Sequence, residues 1–441
     1  LLFLALSHIC AFGQNYNSIG ETLTGSWDGA FIKGNSYQKI QIEFSQKEGK
    51  VFGLQIMEEW HPSYGEFQVP VEIDSIGKIR LATGYGEAEL VLDVKNLELI
   101  GQLKDQNPSI YLHFKKTAEK PKPDFSVEEV SISNGEISLS GHHHIPSINV
   151  KKTAIIIVGG RGCYAGSTKY NLYAKFLRKY GMSVLVYNKR GTGLSSGDCG
   201  TATMEDMAKD LISAKQFLAN HQNGYEKIGV LGTSAGGWTM LKGEELTDFD
   251  FMISIVGPST SVKDQQLQSM AYGADVFKLS QTAKRNVEVY TEMMFSAKTS
   301  QGDFDKMNDL LLRAEKENWK QLLEDTDIPQ SVAGIEQLWV RRHNYDPKSV
   351  LSAFNNPYLA IYGERDWIVP PGENISLLKS YFADRPDLLT VVEAYNAEHG
   401  MEMEAKWIDL SAGRSYWHFY RISPEVRIEI VDFLRKHELV D

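Results

Sequence analysis

The chain is short of positive charge. Its 441 residues hold 46 Lys and Arg against 57 Asp and Glu, a net charge of −11 with a pI near 5.6. Nucleic acids and anionic membranes call for basic surfaces, so neither is expected as a partner. The apolar run at residues 1–13 is too short to span a bilayer. Phosphate-binding signatures are missing too. The glycine cluster at residues 159–162 is not followed by Gly-Lys-Ser/Thr, and no glycines fall at dinucleotide-binding spacing. His142, His143 and His144 are consecutive, alternate faces on a strand and read as an adventitious surface tract. With no second His/Cys/Asp cluster at ligand spacing, neither a metal nor a cofactor is expected. What remains is the composition of a globular protein, 42% apolar and 23% charged, long enough for two domains or more.

Residues 232–237 read Gly-Thr-Ser-Ala-Gly-Gly, after the apolar run 228–231 and before a helix-like stretch, 238–246. This is G-x-S-x-G between a strand and a helix, the setting of a nucleophile elbow. On so tight a turn, side chains at Gly232 and Gly236 would clash, and the turn lifts the Ser234 hydroxyl clear of the sheet. Downstream, the buried-strand pattern 356–363 runs into Glu364-Arg365-Asp366. Asp366 is the better candidate acid, at the carboxyl edge of a parallel sheet, with Glu364 as fallback. Leu389–Glu393 is one more short strand, and His399 follows in a loop. His399 is then the expected general base for Ser234, oriented by Asp366. Thr153–Val158 is a strand that ends in Gly159-Gly160-Arg161-Gly162. The backbone N–H groups of Arg161 and Ala235 are the expected oxyanion donors. Another strand, 183–187, leads to a loop, 188–197, whose glycines shape a tight turn beside the site.

These segments, strand–GGRG, strand–RGTGLSSGD, strand–GTSAGG, strand–GERD and a terminal EHG loop, resemble the α/β-hydrolase superfamily over about residues 125–441. The wording is closest to its bacterial esterase and dienelactone-hydrolase-like branches, which shade into the prolyl-oligopeptidase-type peptidases. The resemblance implies a mostly parallel sheet flanked by helices, with Ser234, Asp366 and His399 as triad. Two departures stand out. Gly159 occupies a position where many members carry His, and an insertion at 401–420 holds Trp407, Tyr416, Trp417 and His418. His418 is a rival base. In this fold the loops bearing Cys163 and Cys199 are neighbours, so the two cysteines either form a disulfide at the rim of the site or are unrelated buried thiols.

The remaining segments fill in the organisation. Residues 1–13, with small residues at Ala11 and Gly13, resemble a secretory signal, which implies an exported, periplasmic or extracellular protein. Residues 14–117 carry short alternating runs at hairpin spacing, an antiparallel β-barrel-like domain. A ligand cavity, a packing role and a dimerisation role all stay open for it. Residues 118–126 are a linker, and 127–441 the catalytic domain, opening on a hairpin of 127–139 with 141–146. Residues 260–350 read as a helical cap in which Met270, Tyr272, Met293, Met294, Phe295 and Trp339 either line an acyl pocket or form the cap's own core. The expected activity is cleavage of a small carboxylic ester with short to medium acyl chains. A serine peptidase, or an acyltransferase or thioesterase on the same triad, is the alternative. A silent binding protein on a hydrolase scaffold is the rival of another class.

Overall fold

The computed structural model describes residues 19–33, 36–56, 66–83, 86–103, 109–117, 124–166, 170–404 and 420–441. The run read as an export signal, most of the linker, and Trp407, Tyr416, Trp417 and His418 lie outside the described residues. The chain divides into two compact units, residues 1–123 with 403–422, and residues 124–402 with 423–441.

In the first unit eight antiparallel strands close on themselves in chain order. They are β1 Gly25–Lys33, β2 Ser36–Lys47, β3 Lys50–Ile56, β4 Glu66–Ile73, β5 Ile79–Thr83, β6 Gly86–Asp93, β7 Glu98–Leu103 and β8 Ile110–Lys116, with β8 paired back onto β1. Period-two patterning drives this: in β8, Ile110, Leu112 and Phe114 are buried while Tyr111, His113 and Lys115 face out. Closure leaves no free edge, and Trp27, Phe31, Phe44 and Phe114 fill the interior. The barrel is therefore packed with aromatic side chains at its core. The one polar atom of Trp27 is satisfied, its Nε1–H donating 2.7 Å to the Leu23 carbonyl. Strand β4 alternates Phe67, Val69, Val71 and Ile73, but Pro70 among them counts against a strand in the sequence, since proline cannot donate to a ladder.

The second unit is a sheet of eight strands ordered β16-β15-β14-β13-β11-β12-β10-β9. Its strands are β9 Phe125–Asn134, β10 Ile137–Pro146, β11 Thr153–Val158, β12 Ser183–Tyr187, β13 Lys227–Thr233, β14 Met252–Ile255, β15 Tyr358–Gly363 and β16 Leu389–Ala394. Strands β11 to β16 are parallel, and every residue of β11, β12, β14 and β15 is buried, as helices on both faces require. Strand β11 has β12 on one side and β13 on the other. The loops after β11 and β13 thus meet at the carboxyl edge, where the order reverses. The opening hairpin differs from the sequence reading: the turn lies at Gly135 (φ 60°), and Ser140 continues β10. The histidine tract is not a surface feature either. Strand β10 is paired on both sides, and His143 and His144 are 0% and 2% exposed.

The α-helices described in the second unit are α1 Asn171–Arg178, α2 Met204–Ala219, α3 Gly236–Glu244, α4 Val262–Val276, α5 Gln281–Ser296, α6 Gln301–Lys316, α7 Trp339–Arg342, α8 Lys348–Ala353, α9 Pro371–Tyr381 and α10 Pro424–Lys436. Helices α4, α5 and α6 each begin on a serine, Ser261, Ser280 and Ser300, whose side chain accepts the N–H three residues on. Such a cap stabilises a helix by about 1 kcal/mol. The three pack around Met270, Val287, Tyr290, Met294, Met307 and Trp319, in a cluster that also takes in Met204, Ala235 and Trp238.

Candidate active site

Ser234 lies between β13 and α3 with φ 51°, a left-handed conformation that costs a non-glycine residue energy and aims its side chain off the turn. Glycine is required on both sides. A Cβ on Gly232 would lie 2.6 Å from the Gly236 carbonyl oxygen, and one on Gly236 would lie 2.4 Å from that of Val158. The Ser234 N–H is anchored to the Ile255 carbonyl at 2.9 Å.

Asp366 and His399 follow the adjacent parallel strands β15 and β16. The two loops are laced together: Glu364 N–H donates to the Ala394 carbonyl and Arg365 N–H to that of Ala397, at 3.1 and 2.9 Å. Glu364 points its carboxylate at the Asn396 N–H, 2.7 Å away. The fallback acid thus braces the histidine loop, while Asp366 meets the imidazole. Asp366 Oδ2 is 2.8 Å from His399 Nδ1, and Oδ1 accepts the N–H groups of Ile368 and Val369 at 2.8 and 2.9 Å. A carboxylate held by two backbone donors can only accept at its second oxygen, so Nδ1 carries the imidazole proton. Nε2 is left as an acceptor, 3.0 Å from Ser234 Oγ. Asp366 is buried, and about a quarter of the His399 side chain reaches solvent.

The loop after β11 runs directly past the serine. A Cβ on Gly160 would lie 2.9 Å from Ser234 Cβ. The Gly160 carbonyl is held from behind by the Tyr164 hydroxyl at 3.0 Å and by Lys189 Nζ. A peptide unit is planar, so fixing that carbonyl turns the Arg161 N–H to the opposite side. Among the described residues the backbone N–H groups of Arg161 and Ala235 find no protein acceptor. Sequence reasoning missed the tyrosine pair behind this loop. Tyr164 and Tyr170 share a 2.8 Å hydrogen bond, and the Tyr170 hydroxyl receives the Gly160 N–H at 3.2 Å. A Cβ on Gly159 would lie 2.7 Å from the Tyr170 ring, so the tyrosines occupy the space a larger residue at 159 would need. The signal was two tyrosines just after the glycine cluster.

Arg161 turns its side chain away. It pairs with Asp327 at 2.7 Å and Glu324 at 3.2 Å and lies over Trp339, 4.6 Å from the ring centre. Cys163 and Cys199 are joined in a disulfide, their Cα atoms 5.8 Å apart. Arg161, Trp339, Cys163 and Cys199 wall a cavity of ≈ 180 Å³ beside Ala235, completed by Met204, Met207, Arg342 and His343. Of the six cap residues proposed for an acyl pocket only Trp339 lines it; Met270 and Met294 are in the cap's core, and Tyr272 is exposed. Burial pushes the His343 imidazole down to about 3; burial also lowers Arg342, opposed by the charge of Asp198 and reinforced by that of Arg161.

No significant match was found among curated proteins. Among solved structures, an esterase of Pyrococcus furiosus is 16% identical and covers 73% of this chain and 95% of its own, with a TM-score of 0.46. A proline iminopeptidase of Mycobacterium smegmatis is 15% identical, covering 71% and 99%, TM-score 0.43. A thermophilic esterase from Thermogutta terrifontis, with malate bound, is 20% identical, covering 70% and 99%, TM-score 0.39. The family model for serine aminopeptidase, S33, matches residues 149–400, more than half of the chain. The sheet order, the elbow and that match together make this chain a member of the serine aminopeptidase S33 family, with the α/β-hydrolase fold preceded by an antiparallel β-barrel.

Proposed function

We propose that the chain is an exported serine esterase that cleaves small carboxylic esters through Ser234, His399 and Asp366. The observation that carries this reading is the continuous hydrogen-bonded line from Asp366 through His399 to Ser234, at 2.8 and 3.0 Å. In the proposed cycle Ser234 Oγ attacks the ester carbonyl while His399 Nε2 takes its proton. The Arg161 and Ala235 N–H groups receive the oxyanion, His399 protonates the departing alcohol, and an acyl-enzyme remains. His399 then deprotonates a water that attacks the acyl carbon and returns that proton to Ser234 Oγ as the acyl–oxygen bond breaks and the acid leaves. Asp366 keeps the proton on Nδ1 throughout.

Cavity size and charge support the choice of substrate. Drug-sized ligands take pockets of ~300–1,000 Å³. About 180 Å³ suits a short acyl chain instead. An aminopeptidase must hold a substrate ammonium, which calls for a carboxylate in the pocket. Among the described residues this cavity is lined by Arg161, Lys189 and Arg342 and by no Asp or Glu. The peptidase alternative, kept in view by the family, is therefore disfavoured on charge. The disulfide and the apolar run at residues 1–13 support export, since such bonds persist in oxidising compartments.

The test is labelling by a fluorophosphonate probe with mass spectrometry of the modified peptide. Modification at Ser234 that is lost in His399→Ala, with turnover of nitrophenyl acetate or butyrate, is the expected result. No labelling of folded protein would overturn the assignment. Preferential cleavage of aminoacyl nitroanilides would move it to the peptidases.

A further inference from the structure

Glu128 and His143 are register partners across the β9–β10 hairpin, where facing side chains stand close enough to share a ligand. His221 reaches the same point from the turn between α2 and β13. Glu128 Oε2 is 3.8 Å from His143 Nδ1 and 3.5 Å from His221 Nε2, and the three atoms lie within 4.8 Å of one another. Donors bound at 2.0–2.2 Å around a tetrahedral ion stand ~3.3–3.6 Å apart. Shifts of a fraction of an ångström to about one ångström would close the set around one ion.

His143 is the second, independent sign. It is fully buried, and its Nδ1 has no hydrogen-bond partner among the described residues. Its Nε2 lies 3.0 Å from the Tyr225 hydroxyl, which also accepts from Asn223 Nδ2 at 2.9 Å. In the tautomer protonated at Nε2, with that proton shared with Tyr225, Nδ1 turns its lone pair towards the Glu128 carboxylate, 3.8 Å away. A cation at this point would meet lone pairs from His143 Nδ1 and Glu128 and, once its Nε2 proton has moved, from His221. A hydrogen bond on the far nitrogen is also how ligating histidines are oriented. Phe217 and Tyr225 pack against both imidazoles and form an aromatic wall.

We propose that Glu128, His143 and His221 bind a borderline divalent transition ion, Zn²⁺ as the working case, which ties the β9–β10 hairpin to the α2–β13 turn. Two imidazoles and a carboxylate suit such an ion, and three protein donors leave a position for water. His221 Nδ1 accepts a 3.3 Å hydrogen bond from the Asn223 N–H, which puts the metal-free ring's proton on Nε2. Binding moves that proton to Nδ1 and gives up the long contact, so affinity falls below that of a closed four-ligand site. None of the three residues lines the cavity beside Ser234, so ester turnover does not depend on the ion.

The test uses the untagged full-length protein, freed of metal by a chelator, with Zn²⁺ titrated against a chromophoric competitor. One equivalent per chain is expected, bound at least ~10-fold more tightly than by Glu128→Gln or His221→Ala. Both substitutions leave the buried His143 in place, so circular dichroism and ester turnover should match wild type. Co²⁺ in place of Zn²⁺ should give visible bands of tetrahedral strength, absent from both variants. Equal Zn²⁺ affinity in all three proteins, or no stoichiometric binding by wild type, would overturn the proposal.

Discussion

Gly160 presses against Ser234 so closely that a methyl group on its α-carbon would lie 2.9 Å from the serine Cβ and 3.5 Å from its Oγ. The same residue carries the carbonyl that Tyr164 and Lys189 hold from behind. Gly160→Ala should therefore push the oxyanion loop away from the nucleophile and from the Thr233 carbonyl at the end of β13, which its Cβ would meet at 3.0 Å. A displacement near 1 Å costs ~100-fold in turnover. We expect kcat/KM for a nitrophenyl ester to fall by about that factor, with a Tm close to wild type. Turnover within threefold of wild type would mean that the loop does not set the reaction geometry.

Much of this arrangement is legible in the sequence because each site residue follows a strong signal. Ser234, Asp366 and His399 each come after a short apolar strand, and glycines at 232 and 236 mark the sharp turn between β13 and α3. The structure brings the three side chains together along the carboxyl edge. Other features carry no local signal. Strand β4 carries Pro70, a residue that argues against a strand, and β14 has four residues, too few for a pattern. The burial of His143 depends on β10 being paired on both sides, which is a property of the sheet. Tyr170 lies ten positions from Gly160 in the chain, and nothing in the spacing points to that contact.

The disulfide closes a separation of 36 residues and joins the loop after β11 to the loop after β12. In the chain-entropy picture a closure of this length stabilises by at most about 4 kcal/mol. The double variant Cys163→Ser/Cys199→Ser should unfold at lower urea than wild type and be indifferent to reductant. Its turnover should fall as well, because both cysteines wall the cavity next to Arg161. Urea melts with and without reductant check this. Identical midpoints for wild type and variant would show that the loops are held without the bond.

Charge in the cavity should govern which acyl groups enter. Arg342 donates to the carbonyls of Gln337 and Ala202, and the carboxylate that acts on it, Asp198, is not in an ion pair with it. We expect a nitrophenyl butyrate or a nitrophenyl monosuccinate to outperform an alanine nitrophenyl ester by more than tenfold in kcat/KM. Arg342→Gln should narrow the succinate-to-alanine ratio by about tenfold, some 1.4 kcal/mol. An unchanged ratio would place the substrate's acyl group elsewhere.

His343 makes a pH prediction with a definite sign. It is 5% exposed, stacks on Trp339 with ring centres 4.5 Å apart, and faces the cations Arg342, Lys189 and Arg161. Burial, the largest cause, depresses its folded pKa to about 3, against ~6.5 for an unfolded-chain histidine. Between those values the unfolded chain binds a proton that the native state does not. Stability therefore falls as pH drops from ~6.5 towards 3, by about 1.4 kcal/mol per unit for this residue, and gains nothing from it above ~6.5. Burial acts the same way on His143 and His144, whereas Glu244, raised to about 7, opposes it between ~4.5 and 7. The wild-type curve is thus a sum, and His343→Phe isolates one contribution while keeping an aromatic ring on Trp339. Denaturant unfolding at pH 7, 6 and 5 should show the variant losing less stability on acidification, by about one proton's slope. Parallel curves for the two proteins would mean that this imidazole takes up its proton in the folded state.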